Sequence, residues 1–99
     1  MKLIQIFSKT GVFAENKDIA REIRLNEIIP ALNNGEQITL DFTGVDAATQ
    51  SFIHALISDV MRKFGNEALD KMVFKSCNET IRKIINIVTD YMQEGMEET

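Results

Sequence analysis

Apolar positions repeat with two different periods along this chain, and the change of period marks the elements. Between Gln37 and Phe42 the residues read Gln-Ile-Thr-Leu-Asp-Phe. Ile38, Leu40 and Phe42 alternate with Gln37, Thr39 and Asp41, which predicts a strand with one buried and one wetter face. From about residue 50 to 64 the spacing becomes helical, and Ile53, Leu56, Ile57, Val60 and Phe64 share one face. Gly65-Asn66 ends that helix. Lys71 to Lys75 reads as a short strand. Behind it, Ser76 as N-cap with Glu79 three residues on fits a capping box. The helix that follows buries Ile81, Ile84, Ile85, Val88 and Met92, and Ile87 and Tyr91 widen its apolar face.

The first third of the chain is less regular. Residues 2–7 are apolar and bounded by Ser8-Lys9-Thr10-Gly11, which predicts a first strand, with Gly11-Val12-Phe13 continuing it after a turn. Asn16 or Asp18 caps a helix that carries Ile19 and Ile23 on one face. Pro30 interrupts this region, because a mid-helix proline removes a backbone bond and costs about 3 kcal/mol. Two arrangements satisfy it. A second short helix can start at Asn26 or Glu27, with Pro30 near its first turn. Alternatively, one kinked helix runs on to a stop at Asn33-Asn34-Gly35.

Strand 37–42, helix 50–64 and strand 71–75 make a βαβ unit with its two strands parallel. The polar alternation at Gln37, Thr39 and Asp41 argues for helices mainly on one face of the sheet. The expected fold is α/β, a small mixed sheet in one domain spanning residues 1–92, followed by an acidic flexible tail at 93–99. A unit of this kind presents its ligand or partner surface at the carboxyl ends of the parallel strands. Two segments converge there, Thr43 to Ser51 and Ser76 to Asn78, and each leads into a helix N-terminus.

Composition narrows the function classes. Ninety-nine residues, 44% of them hydrophobic, close one small core and leave little room for a cofactor domain beside a substrate domain. Fifteen acidic residues against 11 basic ones give a net charge of -4, the wrong balance for a duplex nucleic-acid partner. No apolar run approaches the roughly 20 residues that span a bilayer, so no membrane role is expected. The apolar stretch after Met1-Lys2 is too short for a signal peptide, and Cys77 has no second cysteine to pair with. A cytoplasmic location is the expectation. One Cys and one His exclude a zinc site of the usual ligands, and no cofactor is implied.

Candidate chemistry gathers at the two helix starts. Thr49 is a natural N-cap for the central helix. Ser51, His54, Ala55, Ser58 and Arg62 project opposite its core stripe, onto a face that is solvated or covered by a partner. A phosphate on Ser51 would sit near the positive end of the helix dipole, with Asp46 opposing it. Ser51 and His54 lie three residues apart, but a nucleophile–base pair also needs an orienting group and oxyanion donors, so the pair does not read as catalytic. Cys77 falls at the first turn of the last helix, where the dipole lowers a thiol pKa; the alternative is a small, mostly buried thiol. Asp41 and Asp46 flank a strand end, yet two carboxylates without further ligands make a poor cation site. Asp46 reads instead as turn chemistry and Asp41 as solvation at the strand edge. Gly44 stands alone, so there is no phosphate-binding glycine loop.

Three motifs in order carry a family resemblance. They are Asp41-Phe42-Thr43-Gly44-Val45 at a strand end, Ser51-Phe52 at a helix start, and Phe74-Lys75-Ser76-Cys77-Asn78 after the next strand. Together they resemble a small bacterial STAS-like family of unknown function, related in fold to the STAS domains of anti-sigma factor antagonists. The likeness spans about residues 36 to 90 and implies a STAS-like fold and a non-catalytic switch. In the antagonist branch a serine at the helix start is phosphorylated by a histidine-kinase-like ATPase. Aligning the strand end and Gly44-Val45 places Thr49 on that branch's Asp, Gln50 on its phosphorylated Ser, Ser51 on its second Ser and Phe52 on its Gly. The usual acceptor is missing, so a phospho-switch here needs Ser51 in a shifted register, or Thr49.

The resemblance implies a regulatory protein-binding module, not an enzyme, with a histidine-kinase-like ATPase or serine kinase as partner. Its contact surface is expected at Asp46, Thr49, Gln50, Ser51, His54, Ser58 and Arg62. The alternative is a sensor of a small anion, held by helix N-termini at the sheet edge with Ser76 and Asn78. Ile87 and Tyr91 sit either at a homodimer contact or against the first helix.

Overall fold

The computed structural model describes residues 1–97. Its sheet is built from β1 (Lys2–Gln5), β3 (Ile38–Asp41) and β5 (Met72–Lys75), in the order β1-β3-β5. Both ladders are parallel, with Leu3 opposite Thr39 and Thr39 opposite Val73. A second, two-stranded ladder joins β2 (Phe13–Ala14) to β4 (Ala47–Ala48), also parallel. Every ladder among the described residues is therefore parallel, where a mixed sheet was expected. Helical crossovers return the chain in the same direction, one between β2 and β3 and one between β4 and β5. Gly11-Val12-Phe13 does not continue β1. A four-residue helix, α1 (Phe7–Thr10), turns the chain, and Phe13 pairs with Ala47 instead.

The helices lie mainly on one face of the sheet. Ile4, Ile38 and Leu40 point into the core and are fully buried, while Leu3 and Val73 on the opposite face stay exposed. Thr39 departs from its expected wetter role and is only 8% accessible. It sits in the central strand between Leu3 and Val73, and its hydroxyl lies 3.7 Å from the Met1 sulfur.

Pro30 is accommodated within one helical run. Asn16 caps α2 (Lys17–Ile23), its side-chain oxygen accepting from the Asp18 and Ile19 N–H groups. A π-helical segment, Arg24–Ile28, leads directly into α3 (Ile29–Asn33), with Pro30 in the first turn of that piece. A proline lacks an N–H and crowds the carbonyl four residues back, and the widened π turn relieves both problems. The continuous-helix alternative therefore holds, and the run ends at Asn34 and Gly35 as expected.

The central helix α4 (Gln50–Phe64) forms where its periodicity predicts. It packs against α2 along one flank and α6 (Glu79–Glu97) along the other. Phe52, Ile53, Leu56, Ile57, Val60 and Met61 are all fully buried beneath it. A five-residue helix that the apolar pattern does not announce, α5 (Glu67–Lys71), links α4 to β5. Helix α6 runs through Glu97, past the boundary expected at 92; the last two positions of the expected tail lie outside the described residues.

Candidate functional site

Three parallel strands bring their carboxyl ends to one edge, and the loops after β3 and β5 meet there. The first loop turns at Gly44, whose φ of +88° favours glycine. An added Cβ would stand 3.0 Å from the Phe7 ring. Asp41 organises the entry to this loop. Its carboxylate accepts from the Thr43 hydroxyl at 2.6 Å and the Thr43 N–H at 2.9 Å. Those bonds, with help from the Lys75 charge, hold its pKa below the usual carboxylate value.

The loop is then stitched on both sides. The Asp46 N–H donates to the Val12 carbonyl at 2.8 Å, and the Thr49 N–H donates to Ala14 at 3.0 Å. From the other side, the Asn78 side-chain amide donates to the Asp46 carbonyl at 2.6 Å. The Asn78 oxygen accepts from the Ile81 N–H at 2.9 Å, so Asn78 also caps α6. This replaces the expected capping box at Ser76 and Glu79. Ser76 takes a φ of +58°, which ends the strand at Lys75 and leaves three residues before the helix begins at Glu79. Cys77 consequently precedes the cap instead of lying in the first turn. Burial raises its pKa, the opposite of dipole activation.

Thr49 caps α4 as expected, its hydroxyl accepting from the Phe52 N–H at 3.1 Å. The pairing of β2 with β4 sets the starts of α2 and α4 side by side, because each strand runs through a short link into its helix. Between these starts opens a groove of about 410 Å³, lined by Lys17, Gln50, Ser51, His54 and Ala55. Gln50, Ser51 and His54 were legible as candidates. Lys17 was not, since nothing local reveals which helix start will neighbour α4. Among the described residues no hydrogen bond joins Ser51 to His54.

Farther along the same helix face, the position between the groove and Arg62 is covered. Ser58 was expected to be open to a partner, yet it is only 3% accessible. The helical run beginning at α2 covers that flank. Arg24 donates to the Ala55 carbonyl at 2.8 Å and meets Asp59 at 3.2 Å. Asp59 also pairs with Arg62 at 2.8 Å, and Arg62 itself remains exposed. Arg24 and Asp59 were missed in sequence for the same reason as Lys17. Among the described residues no group of three or more His, Cys, Asp or Glu side chains comes together to hold a metal ion. No helix among them is long and apolar enough to cross a membrane.

A short parallel sheet, helices on one face and loops gathered at the strand ends define a STAS-like α/β domain. The chain belongs to the family described as the STAS-like domain of unknown function (DUF4325), whose model matches residues 20–82. That span contains β3, α4, β5, Asn78 and four of the five groove residues; Lys17 lies just before it. No curated protein and no solved structure matches the chain.

Proposed function

We propose that this domain is a non-catalytic regulatory module that binds a protein partner at the groove between the starts of α2 and α4. The observation that carries the reading is the groove itself. It gathers Gln50, Ser51 and His54 beside Lys17 at the positive end of the α4 dipole. A cation and free first-turn N–H groups suit an anionic group on the partner, or a phosphate placed on Ser51. Ser51 suits modification better than Thr49, because Ser51 is exposed and the Thr49 hydroxyl holds the helix cap. The partner class we favour is a histidine-kinase-like ATPase or serine kinase, on the strength of the STAS-like family alone. Asp46 and Arg62 border the surface as exposed charges. Ser58 contributes from beneath, as packing.

The anion-sensor alternative gains nothing from Ser76 and Asn78. Both ends of the Asn78 amide are already engaged within the fold.

The test is affinity capture from a lysate of the native host, read by mass spectrometry for bound proteins and for phosphosites. The expected result is an ATPase of the histidine-kinase type that is retained by the wild-type chain and lost with Ser51→Glu or Arg62→Glu. An empty capture with an unmodified chain would overturn the reading.

A further inference from the structure

We propose that a second copy of this chain docks along α6, with the two α6 helices antiparallel. The face in question is a second apolar stripe beside the one that packs on α4. Ile81, Ile85, Val88 and Met92 are buried in the core, and Ile84 is half-buried at the margin. Ile87 and Tyr91 remain 53% and 67% accessible. They do not rest against α2, which packs on the other flank of α4. Thr80, Ile84, Ile87 and Tyr91 follow the four-then-three spacing of a helix–helix seam.

The charges flanking this seam select its occupant. Lys83 and Asp90 are seven residues apart on the outer side of the stripe, and both are exposed. In an antiparallel pair, Ile84 packs on Ile87 of the second copy, Tyr91 packs on Thr80, and Lys83 faces Asp90 at both ends. The surface is thus complementary to itself under a two-fold axis, as an isologous contact requires. A parallel pair brings Lys83 level with Lys83 and offers no such match. The Glu79–Lys83 pair, 3.5 Å apart and well exposed, is a weak competitor for the lysine. Side-by-side pairing also extends the helical layer, because α6 lies at its edge. A seam of about three turns buries less than the roughly 1,200 Å² of a stable interface, so association is reversible and concentration-dependent.

Sedimentation equilibrium of the full chain, from low micromolar to near-millimolar, tests this directly. The wild-type chain should pass from monomer to dimer in that range, and Ile87→Lys should hold it monomeric. Lys83→Glu and Asp90→Lys should each weaken association roughly tenfold, since each turns two attractions into two repulsions. An equimolar mixture of those two variants should recover it, because both pairs regain opposite charges in the mixed dimer. All three side chains are exposed, so each variant should keep the wild-type unfolding transition. A monomer at every concentration would overturn the proposal. So would a dimer indifferent to Ile87→Lys, or a mixture that binds no better than either variant alone.

Discussion

The starts of α4 and α6 stand at the same end of the same sheet, and each follows a loop that leaves a parallel strand. At α6 the cap is engaged at both ends: Asn78 caps the helix and ties its loop to the Asp46 carbonyl. At α4 the cap is a single hydroxyl, Thr49, and the next two residues are left facing solvent. Two helix termini with similar dipoles thus serve different ends. One knits the loops together, and the other presents Gln50 and Ser51 to a groove with Lys17 opposite. A helix N-terminus becomes a candidate site only when its first-turn side chains are not already engaged in holding the fold.

That contrast can be broken by substitution. The largest effect belongs beneath the groove. Phe52 is fully buried one position after exposed Ser51, and Phe52→Ala should lower the unfolding free energy by about 3–5 kcal/mol in a denaturant titration. Asn78→Ala removes a cap and a loop strap together, and should cost about 2 kcal/mol. Thr49→Ala loses only a cap and should cost about 1 kcal/mol. Equal losses at Asn78 and Thr49 would remove the distinction between the two helix starts.

Acid sharpens the same comparison at the loop before α4. The Thr43 hydroxyl and N–H hold the Asp41 pKa below its unfolded value, so folding favours the ionised carboxylate. The associated stability is present above about pH 4 and is lost as pH falls through the lower folded pKa. Asp41→Asn should therefore flatten the acid side of the stability profile measured by denaturant unfolding at a series of pH values. The smallest effect is expected at the groove. Ser51→Ala should change stability by no more than about 0.5 kcal/mol, because the side chain is exposed.

How much of this was legible in sequence depended on range. Helix α4 and strands β3 and β5 were readable from local periodicity, and so was the Thr49 cap. The α6 core stripe was readable too, but its cap was misplaced. Ser76 and Glu79 satisfy the capping pattern, yet the positive φ at Ser76 delays the helix until Asn78. The two-residue strands β2 and β4 carry no period at all, although their pairing decides which helix starts become neighbours. Ser58 shows the same limit. Its place on the polar side of α4 was correct, and its burial was set by Arg24 and the helical run from α2, more than 30 residues away in sequence. The family motifs fall on the loops that meet at the sheet edge, and the groove there also takes Lys17, which lies before the matched span.

The most direct test of the central claim compares the two helix starts in one binding measurement. The captured ATPase would be titrated calorimetrically against the wild-type chain, Ser51→Glu and Ser76→Glu. The account predicts at least a tenfold loss of affinity for Ser51→Glu and wild-type binding for Ser76→Glu. Equal affinity for all three chains, or a loss confined to Ser76→Glu, would contradict it.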